Sequence, residues 1–452
     1  MAVVGLGESG RAAARLALER GGEVYVSDVE ADPGKEAAAR ELRALGASVE
    51  VGEHDLARIF DAGVVVASPG IPPNAPVLRA LRERGRGWIS EPEFAFRFFQ
   101  GPLIAVTGTN GKTTTAALVA HLLEEGGIHV GLGGNIGAGL GPPASDLARR
   151  DPPPQWYVLE LSSFQLAGID ALTPDIGVVT NLAPDHLDRY ASVEEYYADK
   201  ANLFRNAATG SRWVLNGDQP EVGELAGDAP GARYWARETW ANREVPGAFV
   251  AEGRIHLRLE DRADVPPLEL LPVSELSLLG RHNRANAVMA AVTAALAGVE
   301  PPELRTGLRT FRPLPHRMEP VVERDGVLWV NDSKATNLHA VQGSLAAAER
   351  PVILLLGGKD KGEPFRDLMP VLKDVRAVLA FGEARERIGT ELADWGPVHP
   401  VKGDLEEAVD RARQEARPGD MVLLAPGCSS FDRFSGYEER GARFRTLVEE
   451  AT

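Results

Sequence analysis

The residues best placed to do chemistry form one continuous run. An apolar stretch, Ile104-Ala105-Val106, leads into Thr107-Gly108-Thr109-Asn110-Gly111-Lys112-Thr113-Thr114, which opens an alanine-rich helix. Backbone N–H groups of such a turn and the positive end of the helix dipole suit phosphate oxygens. Lys112 adds a mobile charge, and the Thr113 hydroxyl can ligate Mg²⁺. An ordinary strand-to-helix turn also uses Gly and Thr, but the coincidence of strand, paired glycines, Gly-Lys-Thr and helix favours a triphosphate cradle. Val106 stands where the common phosphate-loop pattern has glycine. The loop is therefore a shortened variant, which disfavours most phosphate-loop NTPase families.

A triphosphate needs Mg²⁺, and Mg²⁺ needs oxygen ligands from more than one loop. Glu160 ends the apolar run Trp156-Tyr157-Val158-Leu159, where a metal-binding acid of the same sheet belongs. A second run ends at Thr180-Asn181 and leads to Asp185-His186-Leu187-Asp188, which brings His186 and its flanking acids to the same edge. A lone histidine is more often structural, but this setting favours the ligand reading. Asn135, in Gly133-Gly134-Asn135-Ile136-Gly137, either caps a turn or contacts substrate.

Near the start, Gly5-Leu6-Gly7-Glu8-Ser9-Gly10 follows a strand and opens a helix, with Asp28 at the end of the next strand. Taken alone this reads as a dinucleotide fingerprint. Physically it establishes a backbone pocket for a diphosphate and an acid placed for hydroxyls or a base edge. No nicotinamide-site chemistry follows it, so a nucleotide-sugar diphosphate is favoured over a dinucleotide. Ser68-Pro69-Gly70-Ile71 either borders that ligand or forms a turn.

Elements of a regular kind must hold these residues. Apolar runs alternate with Ala/Leu/Arg/Glu-rich helical stretches almost throughout, as in parallel sheets covered by helices. We therefore expect an α/β protein with three domains. These are an N-terminal Rossmann-like unit (1–93), a central phosphate-loop ATPase-like domain with a parallel sheet (94–313), and a C-terminal Rossmann-like domain (314–452). The aromatic-rich segment Glu91 to Gln100 is expected to separate the first two, and the prolines of Arg312-Pro313-Leu314-Pro315-His316 the last two. Gly227 to Pro267 reads as a small β-rich elaboration of the middle domain. At 452 residues the chain exceeds what one core serves. A formal charge of −16 argues against a general nucleic-acid or membrane-surface binder. Cys428 is the only cysteine, which excludes an intrachain disulfide and a cysteine-built metal site. The first residues run straight into a fold motif without an apolar signal core, so we expect a cytoplasmic protein.

Together the motifs resemble those of the Mur ligases, ATP-dependent amide-forming enzymes of peptidoglycan assembly. The matching residues are Thr107 to Thr114, Glu160-Leu161-Ser162-Ser163-Phe164-Gln165-Leu166, Asn181 with Asp185 to Asp188, Gly280-Arg281-His282-Asn283-Arg284-Ala285-Asn286, Pro315-His316-Arg317-Met318-Glu319, and Asn331-Asp332-Ser333-Lys334-Ala335-Thr336-Asn337. Within the family, the Gly5 unit and the closing Pro426-Gly427-Cys428-Ser429-Ser430-Phe431-Asp432 with Arg440-Gly441 point to the step that adds D-glutamate to UDP-N-acetylmuramoyl-L-alanine. The Asp-Asn-Pro-Arg segment usual in the ligase for a diamino acid is absent.

The resemblance implies that the substrate carboxylate and ATP yield an acyl phosphate, which the amine of D-glutamate attacks. It implies a cytoplasmic step of cell-wall synthesis, and with it a part in cell shape and division. Gly108, Thr109, Asn110, Gly111 and Thr114 would line the nucleotide, Lys112 its β- and γ-phosphates, and Thr113 and Glu160 a first Mg²⁺. His186 would hold a second metal. Lys200 matches a family lysine carbamylated by CO₂; without the resemblance it reads as a solvated helix lysine. Asn283 would meet adenine, Arg317 the transferring phosphate, and Asp332 the ribose, with Lys334 nearby. Thr336, Ser430, Phe431, Tyr437 and either Lys361 or Lys359 would receive D-glutamate, with the spacing to Phe365 favouring Lys361. Asn135 and His186 would touch the muramoyl substrate, while Glu8, Ser9, Asp28 and Val29, with Ser68 and Gly70, would border its UDP end. A monomer is expected. Two other readings are a related amide ligase with another substrate pair, and a nucleotide-regulated binding protein that releases no ADP.

Overall fold

The computed structural model describes residues 1–450 except 73, 138, 187–188, 239–244, 261–263, 265 and 279. Leu187 and Asp188, part of the motif around His186, thus lie outside the described residues. Three sheets carry the chain. The chain divides into two compact units, Met1–Glu275 with Ala285–Thr310 and Leu276–Arg284 with Phe311–Thr452. The first holds two sheets and the second holds one. No described helix is long and apolar enough to cross a membrane.

The first sheet contains β1 (Ala2–Val4), β2 (Tyr25–Asp28), β3 (Ser48–Val51), β4 (Val65–Ala67) and β5 (Ile89–Ser90) in the order β3-β2-β1-β4-β5, all parallel. The order reverses between β1 and β4. A crevice opens there at the carboxyl ends of the strands. The glycine turn after β1 and Ser68 after β4 both face it.

The second sheet contains β6 (Leu103–Thr107), β7 (Val130–Gly134), β8 (Trp156–Glu160), β9 (Ile176–Val179), β10 (Arg212–Asn216), β11 (Ala232–Arg237), β12 (Gly247–Ala251), β13 (Arg254–Arg258) and β14 (Leu268–Pro272). Its order is β14-β13-β12-β11-β10-β9-β6-β8-β7. The run from β7 to β12 is parallel, so the loops after β9, β6, β8 and β7 emerge side by side on one edge. The expected elaboration between Gly227 and Pro267 is continuous with this sheet. β11 pairs in register with β10, and β12 to β14 extend the sheet as an antiparallel meander. These strands mix exposed, half-buried and buried positions without strict alternation, which matches the weak periodicity of that segment.

The third sheet contains β15 (Glu319–Arg324), β16 (Val327–Asn331), β17 (Val352–Gly357), β18 (Val375–Phe381), β19 (Val398–Pro400) and β20 (Met421–Leu424) in the order β15-β16-β20-β17-β18-β19. Only β15 is antiparallel. Separate apolar cores cover its two faces, one around Leu354, Leu356 and Leu423, the other around Leu355, Leu424 and Phe444.

The segment after β5 is a buried clamp. Helix Glu91–Phe96 places both Glu91 and Glu93 fully inside the protein. Glu93 Oε2 accepts from the backbone N–H groups of Asp170, Ala171 and Leu172 at 3.1, 3.1 and 2.7 Å. Glu91 Oε1 accepts from the Ser145 N–H at 2.5 Å, and its other oxygen has no partner among the described residues. Arg149 adds an ion pair to Glu19 across the same boundary (Nε to Oε2, 2.7 Å). Val3, Leu16, Phe94, Leu147, Leu159 and Trp213 accordingly belong to a single core cluster spanning both sheets. In this aromatic-rich segment the carboxylates of Glu91 and Glu93 cap backbone N–H groups and do not meet water.

Burial pushes the Glu91 carboxyl up to about 7, against the opposing hydrogen bonds from Ser145. With a folded pKa above the unfolded value, its contribution is fully favourable below about pH 4.5 and is lost as pH rises through about 7. Glu91→Gln keeps the acceptor for Ser145 but has no charge to bury. Thermal melts should therefore coincide with wild type at pH 5 and favour the variant at pH 8 by on the order of 3 kcal/mol; parallel pH profiles would refute this.

Candidate active site

The turn between β6 and helix Lys112–Glu125 takes its shape from two glycines at positive φ, Gly108 (+137°) and Gly111 (+78°). A side chain at Gly108 would lie 2.0 Å from Thr180 Oγ1, and one at Gly111 would lie 2.4 Å from Asn286 Oδ1. The loop after β9 holds the turn from the other side. Thr180 Oγ1 donates to the Asn110 carbonyl at 2.6 Å. Asn181 donates from Nδ2 to that carbonyl at 2.8 Å and accepts the Asn110 N–H on Oδ1 at 2.9 Å. Thr109 Oγ1 donates to the Ala183 carbonyl and accepts the Ala183 N–H, both at 3.0 Å. Helix Lys112–Glu125 begins with no side-chain cap, which leaves its first N–H groups to an anion. Lys112 Nζ lies 2.8 Å from the Thr109 carbonyl, folded along the turn, and Thr113 is buried in the first helical turn.

Glu160 arrives on β8, paired beside Val106, and is buried. Asn135 fixes it twice. The Asn135 N–H donates to the Glu160 carbonyl at 2.8 Å, and Nδ2 reaches Oε1 at 3.4 Å. Glu160 Oε2 is buried with no hydrogen-bond partner among the described residues. A buried orphan carboxylate oxygen is expensive unless a cation or donor completes it. Among the described residues no three His, Cys, Asp or Glu side chains converge as a metal centre. That donor set fits Mg²⁺, a hard cation that takes most of its oxygens from phosphate and water.

Lys200 is the side chain the sequence least prepared us for. It lies on helix Val193–Ala201, 1% exposed, with Nζ donating to the Gly108 carbonyl at 2.7 Å and standing 4.4 Å from the centre of the Tyr196 ring. Burial first, then the charge of Lys112, brings its pKa down to about 7, against the pull of Asp185, Glu160 and Asp199. The solvated-lysine reading is therefore overturned. As an ammonium Lys200 has no lone pair for a cation. His186 adopts a left-handed backbone (φ +56°) and stays half exposed, its ring 5.2 Å from Phe164 and Nε2 3.7 Å from Asp185 Oδ2.

The first sheet builds the other end. Glu8 and Ser9 occupy the first turn of helix Glu8–Glu19, which also lacks a side-chain cap. A side chain at Gly10 would lie 2.0 Å from the Gly5 carbonyl and 2.8 Å from Ser68 Oγ, so Ser68 packs against the glycine turn while Gly70 beyond it has open space. Asp28 accepts the Leu6 N–H (2.7 Å) and Lys35 Nζ (2.5 Å) on Oδ2 and the Glu30 N–H (3.0 Å) on Oδ1. Burial opposes ionisation, but these donors outweigh it and hold the carboxyl below its usual range. Asp28 thus shapes the turn, and Val29 beside it is 56% exposed. A cavity of 440 Å³ separates this end from His186, lined by Ser68, Trp88, Phe164, Arg189, Tyr190 and Asp199 among others.

The remaining candidates lie in the second unit. Asn283 occupies the first turn of helix Arg281–Leu296, its N–H bonded to the Gly280 carbonyl at 3.1 Å. Arg317 follows His316, which is left-handed at φ +63° and bonded to Asn331 Nδ2 at 3.0 Å. Asp332 is buried. Its Oδ1 accepts the Met318 N–H at 3.1 Å and its Oδ2 the Ser344 hydroxyl, while burial raises its pKa. It therefore fixes the strand-to-linker junction from inside. Lys334 Nζ sits 3.9 Å from the Tyr437 ring centre. Lys361 Nζ donates to the Thr336 carbonyl at 2.7 Å, whereas the Lys359 backbone pairs with Ser429 (2.9 Å). Ser430 is buried and Phe431 is 67% exposed. Arg440, fully buried, ties these loops together. It donates to Ser333 Oγ (3.1 Å), the Ser333 carbonyl (3.0 Å) and the Cys428 and Ser429 carbonyls (3.2 Å each).

Three positions in this framework stand in the quoted sequence motifs without a role of their own. Asn286 fills the space against Gly111 and accepts from Thr115 Oγ1 at 3.3 Å. Its i, i+3 spacing from Asn283 was the available signal. Thr180, at the end of an apolar run, and Arg440, in the closing motif, carry no local sign of the partners they bond.

A family model for the Mur ligase middle domain matches residues 106–294, one for the Mur ligase glutamate ligase domain matches 316–428, and one for the MurD-like N-terminal domain matches 1–90. The chain is 43% identical to the UDP-N-acetylmuramoylalanine--D-glutamate ligase of Salinibacter ruber, over 99% of this chain and 97% of the relative. It is 42% identical to the enzyme of the same name from Acidobacterium capsulatum, over 99% and 95%. Among solved structures it is similar in fold to a pseudomurein peptide ligase type C from Methanothermus fervidus (TM-score 0.59, 20% identity, 100% of both chains). A UDP-N-acetylmuramate-alanine ligase from Thermotoga maritima is similar too (0.58, 17%, 100% and 99%).

Because the turn tolerates no Cβ at Gly108, Gly108→Ala should lower turnover by a hundredfold or more, on the order of 3 kcal/mol of lost positioning, while circular dichroism retains native content. Turnover near the wild-type rate would show that the turn can be rebuilt.

Proposed function

Because the chain belongs to the Mur ligase family, we propose that it joins D-glutamate to UDP-N-acetylmuramoyl-L-alanine, converting ATP to ADP and phosphate, as a cytoplasmic step of peptidoglycan synthesis. The observation that carries this reading is the buried Oε2 of Glu160, without a hydrogen-bond partner among the described residues, at the edge of a phosphate loop, in a chain matching D-glutamate ligases over almost its whole length. Domains 1–93, 94–313 and 314–452 would take the UDP end, the ATP and the amino acid respectively, in a monomer without nucleic-acid or membrane partners.

The substrate carboxylate attacks the γ-phosphorus of ATP, and the amine of D-glutamate then attacks the acyl phosphate and expels phosphate. Both steps develop charge on oxygen, so the protein's work is positioning and electrostatic stabilisation. Turn N–H groups from Gly108 to Thr114 and the Lys112 ammonium hold the phosphates. Thr113 and Glu160 would hold a first Mg²⁺, and His186 with Lys200 a second; bound there, the cations neutralise charge on the phosphate and carboxylate oxygens. Lys200 reaches that role only as a carbamate, formed by its neutral amine and CO₂ with loss of a proton. Its lowered pKa supports this, since about half the amine is neutral near pH 7. Arg317 would meet the transferring phosphate, Asn283 adenine, and Asp332, with Lys334 nearby, the ribose. Thr336, Lys361, Ser430, Phe431 and Tyr437 receive D-glutamate. Glu8, Ser9, Asp28, Val29, Ser68 and Gly70 border the UDP end, and Asn135 and His186 the muramoyl end, with the 440 Å³ cavity between them for the sugar.

ADP release with Mg·ATP and UDP-N-acetylmuramoyl-L-alanine tests the assignment, comparing D-glutamate with L-glutamate, L-alanine and meso-diaminopimelate. Turnover restricted to D-glutamate is expected; turnover with another acceptor moves the step, and none removes the reading. Lys112→Ala should lower kcat by about a thousandfold and leave binding of the UDP substrate intact by calorimetry. Lys200→Ala should be similarly inactive and partly rescued by short carboxylic acids. No rescue, together with a wild type indifferent to CO₂ removal, would rule out the carbamate.

A further inference from the structure

The loop 359–363 follows β17 and carries Lys361, but the group that holds it comes from another element. Arg387, on helix Arg385–Glu391, places Nη1 at 2.7 and 2.6 Å from the two Asp360 carboxylate oxygens. Its Nη2 donates to the Glu363 carbonyl at 2.9 Å, and its Nε to Glu391 Oε1 at 2.6 Å. The guanidinium lies 5.3 Å from the Phe365 ring centre. Asp360 Oδ1 also accepts the Gly362 N–H at 2.8 Å, which closes the turn from within at a left-handed glycine (φ +83°). Glu363 Oε2 in turn accepts the Leu338 N–H at 2.8 Å, two residues beyond Thr336.

One planar cation thus bonds both sides of Lys361, at Asp360 and at Glu363. Lys361 itself has four rotatable side-chain bonds, and its Nζ bonds no group of its own loop among the described residues but meets the Thr336 carbonyl across the site. Its position is therefore set by the backbone that carries it. Lysine at position 387 could not replace this arrangement, because a point charge cannot bond a carboxylate, a carbonyl and Glu391 in one plane.

We propose that Arg387 is a positioning residue for the amino-acid acceptor, clamping the 360–363 turn so that the Lys361 ammonium is presented beside Thr336 for a carboxylate of D-glutamate. This rests on the reading of Lys361 as the D-glutamate anchor. The clamp makes no contact with substrate and acts only through the loop. It therefore acts on acceptor binding and leaves phosphoryl transfer alone.

Steady-state kinetics of the full chain with Arg387→Ala, Asp360→Asn, Arg387→Lys and Lys361→Ala separates the possibilities. Arg387→Ala and Asp360→Asn should each raise KM for D-glutamate by about tenfold or more, as expected for an anchor displaced by roughly 1 Å. Their kcat, KM for ATP and KM for the UDP substrate should stay within about twofold. Arg387→Lys should restore little, and adding Arg387→Ala to Lys361→Ala should raise KM no further than Lys361→Ala alone. If Lys361→Ala leaves KM for D-glutamate unchanged, the anchor reading fails and the clamp falls with it. If Lys361→Ala raises KM but Arg387→Ala and Asp360→Asn do not, the anchor stands and the clamp is overturned. A parallel rise in all three KM values with a lowered Tm would make Arg387 merely structural. Should Arg387→Ala not fold, Asp360→Asn, which keeps the side chain's shape, decides the outcome.

Discussion

The active edge of the central sheet depends on how closely two loops approach at Gly108. The Thr180 hydroxyl stands 2.0 Å from where a Cβ would be, so only a residue without one can occupy that position. This contact sets the path of Thr107 to Gly111 and carries Asn110 onto Asn181. It also leaves the Gly108 carbonyl pointing at Lys200, 2.7 Å away. Three consequences share this cause. The turn N–H groups converge in a cradle that suits an anion, a buried lysine is held against the loop, and Asp185 and His186 are delivered to the same edge. Parallel pairing of β9, β6, β8 and β7 makes the convergence possible, because it places four loop starts in one row.

Buried charge is used throughout as a positioning device. Glu93 collects three backbone N–H groups and Arg440 collects three carbonyls and a hydroxyl, each fixing irregular chain that would otherwise leave unsatisfied polar groups inside the protein. Breaking one partner of such an arrangement is costly because the remaining charge stays buried. Burial of Arg440 lowers its pKa to about 10, still protonated at neutral pH, and burial pushes the neighbouring Cys428 thiol up to about 12, so this thiol is not a nucleophile. The net charge of −16 is spread over the whole chain and does not by itself set the field at the turn, where Lys112 is only partly exposed.

What could be read directly were features confined to a few neighbouring residues. The phosphate loop, the acid at the end of β8, the glycine turn after β1 and the α/β alternation depend on local backbone demands and on period, both of which are written in order along the chain. Strands β7, three of whose five residues are glycine, and β3, which is short and half polar, carry little strand signal in sequence. The aromatic-rich segment from Glu91 gives no sign in sequence that its two acids are buried, because their partners lie 54 and 77 residues away.

By itself, then, the sequence determined the class of fold, the chemistry of the turn and the residue types at each strand end, because these follow from neighbours in the chain. Tertiary structure decided which side chains are free to act. It gave Asp28 and Asp332 hydrogen-bond partners within the fold, buried Lys200, and left one oxygen of Glu160 without a hydrogen-bond partner among the described residues. It also put Asn286 against Gly111 and Arg387 around Lys361. The physical reason is that solvation, hydrogen-bond satisfaction and close approach are properties of the surroundings in space, and residues 20 to 170 positions apart create those surroundings.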